Sequence, residues 1–169
     1  MFGDLQRSRR IAYTAAFIGL ITVGGWISVP FVPSPFTLQT FFVLLAGAVM
    51  KRDAIIPVVL YVFLGALGLP VFHNGVAGVG VLLGPTGGYL IGFIPAALVA
   101  GLAYESARPL YRICGLAAAS LIILLCGMAW LIGSTGMAPA AAFVLGMAIF
   151  LPGDAVKTGA AYLIARHLP

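Results

Sequence analysis

Charged residues are scarce in this sequence. They make up 8% of its 169 residues, whereas a soluble domain carries about 25%. Apolar runs of about 17–25 residues, long enough to cross the hydrocarbon core of a bilayer, recur along the chain. This composition excludes an ordinary soluble domain and predicts an integral membrane protein. Glycine and proline breaks between the runs favour membrane helices over the short alternating strands of an outer-membrane barrel.

Residues that bind metals or act as nucleophiles are also few. The two cysteines, Cys114 and Cys126, lie on one predicted helix about 18 Å apart at 1.5 Å per residue, too far for a disulfide. The two histidines are His73 and His167. The sequence contains neither an HExxH pair nor a GxxxxGK(S/T) phosphate loop, and no Ser-His-Asp arrangement stands out. We therefore expect no enzyme activity, no metal site and no cofactor.

Basic residues lie in alternate connections between the apolar runs. Eight of the nine are Arg7, Arg9, Arg10, Lys51, Arg52, Arg108, Arg112 and Arg166. The intervening connections, residues 30–36, 70–84 and 134–139, contain no lysine or arginine. By the positive-inside rule, the basic connections and both termini face the cytoplasm.

The pattern predicts a single all-α domain over residues 1–169, with six transmembrane helices in the cell membrane. The spans are predicted at about 9–29, 38–50, 54–68, 87–105, 113–133 and 140–166. The first run follows three arginines, as the apolar part of a signal peptide does. It is longer than a signal h-region and lacks a small-x-small cleavage site, so we interpret it as the first span.

The second and third spans are short, at about 20–22 Å of helix. Their outer connections must therefore dip into the protein, where irregular backbone is tolerated if it is buried or lines a cavity. The connections 30–36 and 70–75 are uncharged and rich in proline and aromatic residues, which is typical of an ordered lid over a pocket. Pro152 is expected to kink the sixth span or to leave a backbone carbonyl free just before Asp154.

Asp154 and Lys157 are the only charged residues well inside an apolar stretch. Three residues apart on a helix, their side chains share a face and can pair. A charge at bilayer depth costs about 2.5–3.5 kcal/mol on insertion scales, so such residues usually serve a function. Three explanations remain open: a structural ion pair, a proton or cation relay, and a site that binds a small polar ligand.

A ligand site would need further polar and aromatic groups. Asn74 offers a donor and an acceptor from an outer connection. Aromatic residues that could enclose a ligand are Trp26, Phe31, Phe36, Phe72 and Tyr89. A second pattern lies in the first span, where Ala12, Ala16 and Gly19 form a stripe of small residues that permits close helix packing. This stripe fits packing within the chain and docking on a partner helix equally well.

Four segments resemble motifs of the BioY family, the biotin-binding S components of energy-coupling factor transporters. They are Pro35-Phe-Thr-Leu-Gln-Thr40, Gly65-Ala-Leu-Gly-Leu-Pro-Val-Phe72, Gly84-Pro-Thr-Gly-Gly-Tyr-Leu-Ile-Gly-Phe93 and Asp154-x-x-Lys157. The resemblance is dense over residues 12–105 and resumes at Asp154. It implies a six-helix S-component fold that holds biotin near the extracellular face, beneath the outer loops.

The resemblance also implies the binding residues. The contacts to biotin carry over to Asp154, Lys157 and Asn74, and Tyr89 and Gln39 lie within matching motifs. Biotin's ureido ring, with two N–H donors and one carbonyl, suits the first three chemically.

The implied partners are a transmembrane coupling subunit and ATP-binding subunits. The Ala12 and Ala16 motif matches the surface that meets the coupling subunit. His73 departs from the family pattern. The alternative function is a proton-coupled small-molecule transporter that uses Asp154 as its relay.

Overall fold

The computed structural model describes residues 2–168, with side chains from residue 4, and most of this range is helical. In chain order the α-helices are α1 (Phe2–Trp26), α2 (Gln39–Met50), α3 (Ile55–Ala66), α4 (Val79–Leu83), α5 (Gly87–Glu105), α6 (Pro109–Thr135), α7 (Pro139–Phe143) and α8 (Leu151–Ala165). A π-helical segment, Val144–Ala148, joins α7 to α8. The irregular helix expected near Pro152 is therefore this π-helical segment, a few residues earlier in the chain. Pro152 itself occupies the first turn of α8.

Within the described part of the chain, three elements are long and apolar enough to cross a membrane, namely α5, α6 and the segment Pro139–Ala165. Helices α2 and α3 contain 12 residues each, or about 18 Å of helix. Helix α5 has the predicted bounds. Helix α6 begins at Pro109 rather than near residue 113, because proline is favoured in the first turn of a helix. Helix α1 begins at Phe2 rather than near residue 9.

Helix α5 lies at the centre of the bundle, where it packs against α2, α3 and α6. Small residues allow these close contacts, since Ala96, Ala97 and Ala100 are fully buried. At Gly101 a Cβ atom would lie only 2.1 Å from the carbonyl oxygen of Lys51, so only glycine lets the chain pass there.

One end of the bundle, which we call the hairpin end, carries structured connections. Strand β1 (Ser28–Val29) pairs antiparallel with β2 (Phe36–Thr37). A 3-10 turn at His73–Gly75 follows α3, and the short helix α4 comes next. The indole nitrogen of Trp26 donates to the carbonyl of Pro70 at 3.3 Å, which ties α1 to this connection.

At the other end, two exposed ion pairs hold the turn between α2 and α3. Arg10 pairs with Asp53 at 2.9 Å. Arg52 donates two hydrogen bonds to the carboxylate of Glu105, at 2.5 and 2.7 Å. Solvent screens exposed pairs of this kind, so they fix the position of the turn more than they stabilise the fold. The turn itself holds Lys51 at φ 55° and ψ −137°, a conformation that residues with a side chain rarely adopt.

Candidate functional site

A cavity of about 40 Å³ lies inside the hairpin end, and we call it the central cavity. It is enclosed by α2, α5, α6, α8 and the two structured connections. Its polar lining consists of Ser34, Thr37, Gln39, Thr40, His73, Thr86, Tyr89, Asp154 and Lys157. Four of the five residues predicted to bind ligand, namely Asp154, Lys157, Tyr89 and Gln39, therefore meet at one cavity.

Asp154 and Lys157 form a buried ion pair in the wall of this cavity. The Nζ atom of Lys157 lies 2.8 Å from Oδ1 of Asp154, and the two residues are 7% and 3% exposed. Thr40 on α2 bridges them, since its hydroxyl accepts a hydrogen bond from Lys157 at 3.0 Å and lies 3.4 Å from Oδ1 of Asp154. Each charge thus has a partner, which a buried ion requires.

Phe36 of the hairpin covers this pair. The Nζ atom of Lys157 lies 3.8 Å from the centroid of the Phe36 ring, a cation–π contact. The ring is stacked on Phe150, with centroids 6.0 Å apart. Gly153 makes room for it, because a Cβ atom there would lie 2.2 Å from the Phe36 ring. The hairpin therefore contacts the ion pair through an aromatic face.

Tyr89 connects the start of α5 to the π-helical segment between α7 and α8. Its hydroxyl donates to the carbonyl of Gly146, in the π-helical segment, at 2.6 Å. Its ring lies against Gly127 of α6, where a Cβ atom would come within 2.1 Å of it. Tyr89 thus lines the cavity with its ring while its hydroxyl has a protein partner.

Gln39 lines the cavity and is held by a hydrogen-bond network. Its side-chain nitrogen donates to the hydroxyl of Tyr61, and its oxygen accepts from Thr37 at 3.2 Å. Tyr61 in turn donates to the carbonyl of Val71 at 3.1 Å. This network ties the start of α2 to the connection that carries His73.

Asn74 lies elsewhere, in an adjoining pocket of about 660 Å³ that we call the hairpin pocket. Its exposed side chain accepts a hydrogen bond from Ser28 at 2.5 Å. It does not line the central cavity. The structure therefore separates Asn74 from Asp154 and Lys157, with which the sequence grouped it.

His73 and Thr86 line both the central cavity and the hairpin pocket. The Nε2 atom of His73 lies 3.2 Å from the hydroxyl oxygen of Thr86. Its Nδ1 atom is buried and has no hydrogen-bond partner among the described residues. Burial lowers the pKa of His73 below its ordinary value of 6.5, since a charged imidazole would lose hydration there.

Sequence reasoning did not single out Thr40, Thr86 or Phe150 as site residues. Thr40 and Thr86 lie inside the recognised motifs, and Thr40 comes directly after Gln39. Their position in these motifs could therefore have identified them as site residues. Of the aromatic residues expected to enclose a ligand, Tyr89 alone lines the central cavity. Phe72 is fully buried against Tyr61.

The small residues of α1 lie on the surface. Ala12, Ala16 and Gly19 are all exposed, and a Cβ atom at Gly19 would contact nothing within 4 Å. Packing within the described part of the chain therefore does not explain this stripe.

The BioY family model matches residues 3–169 of the chain. The chain belongs to the BioY family. A relative named "Probable biotin transporter BioY" from Pyrococcus horikoshii is 40% identical over 164 residues, covering 96% of this chain and 98% of its own length. "Biotin transporter BioY" from Rhodobacter capsulatus is 37% identical over 180 residues, covering 95% and 93%.

This BioY chain also has a solved structural neighbour. It is the S-component for biotin from an ECF-type ABC transporter, with a TM-score of 0.88 and 24% sequence identity. The match covers 98% of this chain and 93% of the neighbour. The described helices therefore have the fold of an S component, in agreement with the expectation from the motifs.

Proposed function

We propose that this protein is the biotin-capturing subunit of an energy-coupling factor uptake transporter. It crosses the cell membrane six times with both termini in the cytoplasm, and it binds biotin at the hairpin end, which faces outward. Membership of the BioY family and the names of its relatives support this function. The alternation of basic and uncharged connections supports the orientation.

The observation that carries the proposal is the buried Asp154–Lys157 pair in the cavity wall. Biotin's ureido ring presents two N–H donors and one carbonyl acceptor. The carboxylate of Asp154 accepts from the N–H groups, and the ammonium of Lys157 donates to the carbonyl. Charged groups make stronger hydrogen bonds than neutral ones. The ring of Tyr89 and the amide of Gln39 bound the same space.

Biotin binding requires this end of the protein to open. Sites for small organic ligands hold about 300–1,000 Å³, whereas the central cavity holds about 40 Å³. The hairpin is the mobile part in this proposal, because Phe36 lies over Lys157 and moves with β2. When the hairpin lifts, the central cavity and the hairpin pocket merge, and Asn74 becomes part of the same site.

Transport then depends on partner chains. The exposed stripe of Ala12, Ala16 and Gly19 offers a helix surface that a transmembrane coupling subunit can approach closely. ATP-binding subunits supply the energy, because this sequence carries no phosphate loop of its own. Reorientation of the whole bundle then releases biotin inward.

Calorimetry on the purified protein in detergent tests the binding function. We expect wild-type protein to bind biotin and to reject lipoic acid, which has a carboxylate and a sulfur ring but no ureido group. Asp154→Asn should weaken biotin binding about 10- to 100-fold, since a hydrogen bond to a charged group contributes about 1.5–3 kcal/mol. Asp53→Asn, which removes an exposed carboxylate at the other end, is the matched control. Absence of biotin binding at micromolar concentration would falsify the assignment.

A second candidate is a proton-coupled transporter with Asp154 as the relay. One observation favours it: Asp154 also lines a groove of about 440 Å³ between α6 and α8, so this residue borders two cavities. In that case Asp154→Asn would abolish uptake into proteoliposomes while leaving biotin binding intact. Loss of binding itself supports the capture function.

A further inference from the structure

His73 and Thr86 stand at the boundary between the central cavity and the hairpin pocket. Nε2 of His73 is within hydrogen-bond distance of the Thr86 hydroxyl, at 3.2 Å. Nδ1 is buried without a partner among the described residues. A buried polar atom without a partner is costly, and a ligand group at this boundary would satisfy it.

Charge at this boundary can come from few side chains. The connections 30–36 and 70–84 contain no Lys, Arg, Asp or Glu, and His73 is their only titratable residue. The lining of the hairpin pocket adds no other titratable group. A negative group that arrives from the hairpin end therefore meets His73 before it meets Lys157.

The proposed ligand carries such a group. Biotin is elongated, with the ureido ring at one end and a valeryl chain that terminates in a carboxylate at the other. With the ring at Asp154 and Lys157 on α8, the chain extends toward the hairpin. The polar groups that the chain end reaches at the boundary are the imidazole of His73 and the hydroxyl of Thr86.

We infer that His73 and Thr86 form the subsite for the ligand's terminal carboxylate, and that His73 makes this protein select the acid over neutral derivatives. This inference rests on the proposed function. A carboxylate beside the imidazole favours its protonated form, so binding of the acid carries a proton to His73. The hydroxyl of Thr86 donates a second hydrogen bond to the carboxylate.

The pH effect of His73 has to be distinguished from the effects of the other titratable groups near it. Asp154, Lys157 and Tyr89 line the same cavity, and Tyr61 packs against the neighbouring Phe72. Asp154 and Lys157 neutralise each other at 2.8 Å. All four remain in a His73→Gln variant, which keeps a polar side chain near Thr86 but does not titrate. The difference in pH dependence between wild type and this variant therefore measures the contribution of His73.

The experiment compares biotin with biotinamide, in which a neutral amide replaces the carboxylate. Calorimetry is performed on wild-type protein, His73→Gln and His73→Ala at about pH 6 and pH 8. At the lower pH we expect wild type to bind biotin roughly tenfold more tightly than biotinamide, which is the affinity ratio expected from one charged hydrogen bond. At the higher pH this ratio should be smaller. His73→Ala should bind the two ligands about equally. In His73→Gln the preference should not change with pH.

Val79→Ala is the matched control. Val79 is exposed on the nearby α4 and lines neither pocket, so this variant should keep the wild-type preference. Equal affinities of wild type for the two ligands, or a pH-dependent preference that survives in His73→Gln, would overturn the subsite while leaving biotin capture intact. Failure of wild type to bind either ligand would overturn the proposed function instead.

Discussion

The hydroxyl of Tyr89 donates a 2.6 Å hydrogen bond to the carbonyl oxygen of Gly146. Gly146 lies in the π-helical segment Val144–Ala148, which precedes α8 and its Asp154. Single-turn π segments occur frequently at functional sites. The bond thus joins the glycine-rich start of α5 to the segment that positions the buried carboxylate.

Tyr89→Phe removes this bond and keeps the ring against Gly127. We expect the free energy of unfolding to fall by about 0.5–1.5 kcal/mol, the net value of one hydrogen bond. Thermal unfolding in detergent measures this effect. Gly127→Ala should also destabilise, because its Cβ atom would lie 2.1 Å from the Tyr89 ring. An unchanged unfolding temperature in Tyr89→Phe would show that the bond contributes nothing.

Removal of one member of the Asp154–Lys157 pair should be more harmful than removal of both. Either Asp154→Asn or Lys157→Met leaves a buried charge without its partner, which costs about 3–5 kcal/mol. The double variant leaves neither charge and should lose less stability than either single variant. Denaturation of all four proteins completes a double-mutant cycle. Additive losses would contradict the pairing.

Lys51→Gly should stabilise the protein by about 1 kcal/mol, since strained backbone conformations cost about 1–3 kcal/mol and glycine adopts them freely. Lys51 has φ 55° and ψ −137°, and its side chain forms none of the ion pairs at this turn. Gly101→Ala is the opposite test, because its Cβ atom would collide with the Lys51 carbonyl. Equilibrium unfolding measures both. A less stable Lys51→Gly protein would argue against strain at this turn.

His73 should make the ligand-free protein less stable in mild acid. Burial lowers the pKa of His73 below 6.5, whereas the unfolded chain takes up this proton at about pH 6.5. Because the unfolded state binds more protons, the contribution is fully present above pH 6.5 and is lost as the pH falls below it. Unfolding temperatures measured from about pH 5 to pH 8 should fall less steeply in His73→Gln. Parallel curves would exclude this contribution.

Ala12→Leu and Ala16→Leu should impair uptake without impairing biotin binding. Both residues are exposed, so larger side chains fit the isolated protein but prevent close helix approach. Uptake is measured in cells that express the complete transporter, and affinity is measured on purified protein. Ala118→Leu, exposed on α6, is the control for added bulk. Normal uptake in both α1 variants would exclude this surface as the docking site.

Much of the architecture could be predicted from the sequence. Hydropathy located α5 at its observed bounds, and the spacing of Asp154 and Lys157 predicted their pairing, because residues three apart on a helix share a face. The motif resemblance predicted the family. These inferences succeeded because they depend on local spacing or on patterns that the sequence carries directly.

Other features depended on how distant segments meet. Thr40 reaches the ion pair from α2, Phe36 covers it from the hairpin, and Asn74 lies in a separate pocket. The π-helical segment before Asp154 was also not foreseen, since only Pro152 marked an interruption.

The sequence by itself determined that this protein lies in a membrane, which end of each helix is basic, and which acid and base share a helix face. Hydrophobicity and helical periodicity are properties of residues close together in the sequence, so they can be recognised without the tertiary structure. Only the tertiary structure decided which side chains enclose the pair and that His73 joins two pockets. Those contacts arise when segments far apart in the chain pack together, and their geometry has no counterpart in local spacing.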